Sequence, residues 1–332
     1  MSSDYRIFGS ELSPYSVKVR SYFRYKQIPH DWIPRNNDSE EEYKKYAKIP
    51  IIPLVVTPEG EGLQDSTPII EAIEQRFPEP SIHPQDPLCN FVSTLIEEFG
   101  DEWGNKWMFH LRWARQEDCH SAGGRIAAAN APDADEATRI AIRDQIVSFM
   151  KGRVGFVGSN EQTAPQIEQS FEDGIRLLDA HLKDRSYLFG EKPAFADFGL
   201  WGQVYCAWTD PTGAALIEAR TPHLLDWIHR MLWPTSHGEY ESWETLEITL
   251  LPFLTDQIGE LFAPWTVANS AAMVAGREEF TVDLKGQRFT QVPQKYHLKS
   301  LQVLRDKYAT VSADEELSKV MQATGCLTAL EE

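Results

Sequence analysis

Short apolar runs and helical periods alternate over the first 78 residues. Tyr5 to Phe8 alternates as a strand does and stops at Gly9-Ser10; from Tyr15 to about Lys26, Val19, Tyr22 and Phe23 recur at helical spacing, with Pro29 just beyond. His30 to Ile33 predicts a second strand, and the polar stretch Glu40 to Ala47 predicts a short helix that Ser39 is placed to cap. The β-branched run Ile51-Ile52-Pro53-Leu54-Val55-Val56, the turn residues Pro58 to Gly62 and the returning Leu63 predict a hairpin. Asp65-Ser66 then stands at an N-cap, with Ile69, Ile70, Ile73 and Phe77 at helical spacing up to Pro78. The order is βαβαββα.

Four prolines between residues 78 and 87 mark a domain boundary, and the chain then reads as helical to about residue 265. Ile167, Phe171, Ile175, Leu178 and Leu182 give the clearest amphipathic helix. Gly100 and Gly104 are candidate helix breaks, and Gly152, Gly155 and Gly158 predict a helix end and loop. Near the end, Glu279 to Leu284 and Gln287 to Val292 alternate around Lys285-Gly286 as a hairpin, and a helix from about Gln294 to Tyr308 follows. An isolated hairpin is marginal in water. The expected division is therefore an α/β domain over 1–80, an all-α domain over 88–275, and a hairpin-plus-helix extension over 276–332 folded back on the body, with flexibility confined to the residues after Thr324.

Composition narrows the partners. The chain has 332 residues and a net charge of −18, which disfavours nucleic acid and anionic membrane surfaces as partners. Residues 1–50 run against this, with nine Lys and Arg against seven acids. Such a segment suits a small anionic ligand or simply places lysines on helix surfaces. No stretch approaches the roughly 18 apolar residues of a membrane span, and the four cysteines lack C-x-x-C or zinc spacing. A soluble, cytoplasmic protein with reduced thiols and no metal is expected. H-E-x-x-H, G-x-S-x-G and G-x-x-x-x-G-K-[ST] are missing, so zinc-protease, α/β-hydrolase and P-loop chemistries lack their residues.

Three short motifs carry candidate chemistry. Ser13-Pro14-Tyr15-Ser16 lies between the first strand and helix, where unpaired N–H groups and the helix dipole stabilise an anion such as a thiolate, and where a serine also serves as a plain cap. Lowering a thiol pKa by ~2 units takes ~2.7 kcal/mol, within reach of one charge-assisted hydrogen bond and the helix terminus. Pro53 inside a β-branched run fits an edge strand or a cis peptide after Ile52, whose backbone would then pair with an extended peptide ligand. Asp65 and Ser66 are good caps, and are equally suited to hold the ammonium and carboxylate of an amino acid.

In this order, the three motifs resemble the glutathione transferase superfamily. Ser13 falls where serine-type members keep the activating hydroxyl, Pro53 at the family's cis-proline, and Asp65-Ser66 at the pair that holds the γ-glutamyl group. The resemblance continues more loosely through Leu188 to Phe198, where Ala194 stands in place of the usual Ser or Thr three residues before Asp197. Residues 115–165 look inserted, and beyond about 235 the likeness ends. The resemblance implies a thioredoxin-like domain plus an all-α domain, a homodimer, glutathione as co-substrate and conjugation to a hydrophobic electrophile in detoxification. By the same analogy the aromatic-rich segment Trp103, Trp107, Phe109, His110 and Trp113, with Met108 beside them, would line the second-substrate pocket, Trp103, Trp107 and His110 foremost, although such rings also pack into cores. A non-catalytic binding or assembly role on the same fold is the alternative. The long extra segments and the missing hydroxyl before Asp197 favour it.

Overall fold

The structure, a computed structural model, describes residues 4–331. Its first part follows the expected order: β1 (Tyr5–Gly9), α1 (Pro14–Tyr25), β2 (His30–Pro34), α2 (Glu40–Tyr46), β3 (Leu54–Val56), β4 (Gly62–Gln64) and α3 (Ser66–Arg76). The sheet order is β2-β1-β3-β4, with β1 and β2 parallel and the other pairs antiparallel. Strand alternation sends Ile7 and Val55 into the main core, while Phe8, Leu54 and Val56 pack under Tyr43 of α2. Each such buried apolar side chain contributes ~1.5–3 kcal/mol. Ser39 stands before α2 without capping it, because its hydroxyl donates to the Pro34 carbonyl at 2.7 Å.

Helices follow: α4 (Pro87–Phe99), α5 (Asn105–Ala114), α6 (Gln116–Asn130), α7 (Glu136–Lys151), α8 (Ala164–Leu182), α9 (Phe195–Trp208), α10 (Pro211–Arg220), α11 (Pro222–Arg230), α12 (Trp243–Phe253) and α13 (Ala263–Val274). Gly100 and Gly104 do not break the chain into separate helices. A π-helical turn over Gly100–Gly104 joins α4 to α5, and Gly100 meets α9 so closely that a Cβ there would lie 2.8 Å from the Leu200 nitrogen. The segment expected to be an insertion is a helical hairpin, α6 and α7.

Helix α9 is the buried centre of this region, and Asp197 is its hub. Without a hydroxyl at Ala194, the Asp197 carboxylate takes all the donors: Ala194 N at 2.8 Å, Leu188 N at 2.9 Å and Trp227 Nε1 at 2.8 Å. Burial raises its pKa to about 6 in spite of these bonds.

The C-terminal segment forms β5 (Phe280–Leu284), β6 (Gln287–Gln291), α14 (Lys295–Ala309), α15 (Glu315–Thr324) and α16 (Leu327–Leu330). Lys285 and Gly286 both adopt positive φ, 51° and 76°, as a two-residue hairpin turn requires. The hairpin meets α5 through Lys106, whose buried Nζ donates to the Val157 carbonyl at 3.1 Å and Gln291 Oε1 at 2.8 Å and lies 3.9 Å from the Trp265 ring centroid. With no carboxylate among these partners, burial pushes the Lys106 pKa well below the usual lysine range. Cys326, Ala329 and Leu330 are buried, so the residues after Thr324 pack as well.

Helix α14 lies against α3 and α4. Lys307 pairs with Glu71 at 2.6 Å, Tyr296 Oη donates to Asp65 at 2.7 Å, and His297 contacts Glu102. Burial raises the Glu98 pKa to about 8, with Glu97 and Asp101 adding to the rise. An unfolded glutamate titrates near ~4.3, so Glu98 binds a proton more tightly in the fold. Its contribution to stability is complete below the unfolded value and is lost as pH rises through about 8. The melting temperature is therefore expected to fall from about pH 5 to about pH 8 and to level off above that, and Glu98→Gln to flatten the fall; calorimetry across this range measures both.

Candidate functional site

Ser13 is the N-cap of α1, with φ −96° and ψ 113°, and its Oγ accepts from Ser16 N at 3.3 Å. Pro14 follows at the first helical position, where a missing N–H costs nothing. The loop is held on two sides. Arg112 of α5 donates to the Leu12 carbonyl at 2.6 Å, and α9 approaches so closely that a Cβ on Gly202 would sit 2.5 Å from the Pro14 carbonyl oxygen. Ser13 thus opens onto a cleft of about 880 Å³, shared by Gly9, Trp32, Ile52, Phe109 and Trp113. The Ile52–Pro53 peptide is cis; Ile52 lines the cleft and Pro53 is buried behind it.

Beneath the loop lies an ion cluster that the sequence did not announce. Lys18, on α1, is wholly buried, with Nζ 2.5 Å from Glu97 Oε1, 2.6 Å from Asp101 Oδ2 and 3.1 Å from Thr67 Oγ1. Glu97 and Asp101 are one turn apart at the end of α4, so both carboxylates face the same amine. The cluster raises the Lys18 pKa against its desolvation. Asp101 is also raised, to about 7, by burial and its acidic neighbours against the pull of Lys18.

The predicted amino-acid-binding pair is divided. Ser66 is 1% exposed and its hydroxyl faces the cluster, 3.4 Å from Lys18 Nζ and 3.3 Å from Asp101 Oδ2. Asp65, at φ 76°, makes no side-chain capping bond. Its carboxylate instead takes the Tyr296 hydroxyl and borders a separate crevice of about 130 Å³ between α3, α4 and α14. Tyr15, another hydroxyl near Ser13, donates to the Asp101 carbonyl at 2.9 Å, and burial drives its pKa upward.

Three of the expected second-substrate residues, Trp103, Trp107 and His110, are turned into the core rather than to the cleft. Trp103 and Trp107, each 1% exposed, both donate to Ser170 Oγ, at 2.9 and 2.8 Å. His110, 2% exposed, bonds Ser159 at 2.7 Å and Glu168 at 2.9 Å. Positions 103, 107 and 110 form one helical stripe, and that stripe is core. Phe109 and Trp113 of the same expected segment do line the cleft, with Met108, Asn105 and Arg112 beside them, joined by Arg125 and Ile126 of α6 and Met150 of α7. Arg125 and Met150 had no signal in the sequence, since only the fold of the α6–α7 hairpin brings them here.

Residues 7–81 match the family model for the glutathione S-transferase N-terminal domain, and residues 161–230 the model for its C-terminal domain. A probable glutathione S-transferase of Nicotiana tabacum is 22% identical over 215 residues, spanning 61% of this chain and 73% of the relative. Among solved structures, a Tau class glutathione S-transferase of mango, Mangifera indica, is 19% identical with TM-score 0.40, covering 76% of this chain and 100% of the other. A glutathione S-transferase of Methylobacillus flagellatus with glutathione bound is 18% identical with TM-score 0.38, covering 69% and 95%. The two domain matches lie in order along the chain and over the strand order and helices described above, so residues 7–81 and 161–230 are similar to the N- and C-terminal domains of the glutathione S-transferases.

Proposed function

We propose that the chain is a glutathione transferase. It binds glutathione along the cleft edge at Ile52, stabilises the thiolate at Ser13 and conjugates it to a hydrophobic electrophile held against α5, α6 and α7. The observation that carries this reading is the Ser13 hydroxyl, placed at the start of α1 and opening on the large cleft beside Ile52. There one hydroxyl and the helix terminus act on the same anion. Catalysis is then thiol activation plus proximity, with no covalent intermediate on the protein. A serine cannot form a mixed disulfide, which separates this chemistry from thiol–disulfide exchange. A cytoplasmic homodimer acting in detoxification belongs to the same proposal, and sedimentation at micromolar concentration tests the dimer.

One observation favours the second reading, a non-catalytic binding or assembly protein. Tyr296 already occupies Asp65, and the Ser66 hydroxyl is turned inward, so the amino-acid end of glutathione meets a partly filled subsite. Calorimetric titration with glutathione and turnover of a panel of electrophiles separate the two: binding without turnover of any electrophile supports the second reading.

Ser13→Ala tests the leading one. Losing a charge-assisted bond of ~1.5–3 kcal/mol raises the bound thiol pKa by about one to two units and leaves glutathione affinity nearly unchanged. Thiolate absorbance followed against pH measures the shift. Identical titrations in variant and parent remove Ser13 from this role.

A further inference from the structure

The far wall of the cleft comes from residues 105–150, outside both matched regions, and its charge departs from that of the rest of the chain. The charged residues lining the cleft are Glu11, Arg35, Arg112 and Arg125. Three are cations, in a protein with 50 acids and 32 Lys and Arg. Glu11 is held by Arg20 at 2.6 Å, and Arg35 pairs with Glu40. Arg112 is buried with its donors spent on Asp210 Oδ2, the Leu12 carbonyl and the Cys206 carbonyl, at 2.6, 2.6 and 2.9 Å.

Arg125 differs from these. It also leans on Asp210, so two guanidinium groups share one fully buried carboxylate. The neighbouring Asp118 is buried too, its oxygens taking the backbone N–H and hydroxyl of Thr212 at the start of α10, at 2.8 and 2.6 Å, so two guanidinium groups stand against two carboxylates here. What sets Arg125 apart is access: its side chain is 35% exposed at the cleft while its buried Nε has no hydrogen-bond partner. Around it the wall is apolar and adaptable, with Met108, Phe109, Trp113, Ile126 and Met150.

We propose, resting on the glutathione transferase reading above, that the second substrate is an anionic aromatic electrophile, a carboxylate-bearing ring whose anion is held by Arg125 and whose reacting carbon faces Ser13. The guanidinium is a planar, permanently charged donor suited to a carboxylate, and the low-dielectric wall strengthens the pairing. For an activated aryl halide the step balances simply. The glutathione sulfur forms the new S–C bond, the C–halogen bond breaks, and the halide leaves with its electron pair; the thiol proton has already gone to solvent.

A matched pair of ring compounds tests the charge requirement. The binding probes are 3,5-dinitrobenzoate and its methyl ester, followed by quenching of tryptophan fluorescence; the turnover probes are 4-chloro-3,5-dinitrobenzoate and its methyl ester, each rate divided by the uncatalysed rate with glutathione. The wild-type protein is expected to bind the acid tenfold or more tighter than the ester and to show the same preference in corrected kcat/KM. Arg125→Gln should bring both ratios to within about twofold, and Arg125→Lys should retain part of the preference. Equal binding of acid and ester by the wild-type protein overturns the proposal, as does an unchanged ratio in a folded Arg125→Gln protein. The wild-type ratio alone decides the matter if that variant does not fold. Failure of the underlying reading looks different: no glutathione binding and no turnover of either compound, whatever the binding preference between them.

Discussion

The amine of Lys18 lies in the interior where α1, α3 and α4 meet, and the site depends on what surrounds it. Taking a lysine and two carboxylates out of water costs several kcal/mol per ion, so the group persists only because each charge has partners within hydrogen-bond reach. Those partners come from three elements. Lys18 is on the helix that Ser13 caps, Thr67 and Ser66 begin α3, and Glu97 lies near the end of α4 with Asp101 in the turn that continues it. The cluster therefore ties the helix that Ser13 caps, the segment after β4 and the floor of the α-helical region into one geometry. The π-turn at Gly100–Gly104 belongs to the same arrangement, since it starts immediately after Phe99 and carries Asp101.

Around this cluster the protein repeats one device, a buried carboxylate that gathers donors from elements far apart in sequence. Asp197 joins the loop before α9 to Trp227 of α11. Asp210 joins α5 and α6 through Arg112 and Arg125, and Arg112 reaches on to the Leu12 carbonyl beside Ser13. The loop that carries Ser13 is thus held from two sides, by the Lys18 cluster beneath it and by Arg112 at the cleft wall. The C-terminal extension adds a third constraint, since α14 lays Tyr296 on Asp65 and closes the side of α3 where the amino-acid end of glutathione was expected.

The element order of the first domain was legible because strand alternation, helix spacing and Pro and Gly punctuation all agree over residues 5–78. The C-terminal hairpin was legible for the same reason: Lys285-Gly286 demands a turn. The orientation of side chains was harder to read. Lys18 reads in sequence like any helix-surface lysine, because burial of a charge depends on partners nearly 80 residues away. Trp103, Trp107 and His110 belong to the same aromatic-rich segment as the cleft-lining Met108, Phe109 and Trp113, and composition cannot tell which stripe of such a segment faces the core. Asp65 and Ser66 were found as a motif, yet their hydrogen bonds to Tyr296 and Asp101 follow from contacts that no local pattern encodes.

Equilibrium urea unfolding of Lys18→Met beside the triple variant Lys18→Met, Glu97→Gln, Asp101→Asn tests the central role of the buried cluster most directly. Removing the amine alone leaves carboxylates buried without their counter-ion, and a loss of about 3–5 kcal/mol is expected. Neutralising both acids as well should recover most of that loss, because hydrogen-bonded neutral groups then fill the same space. A Lys18→Met protein as stable as the parent, or a triple variant no better than the single one, would contradict the account.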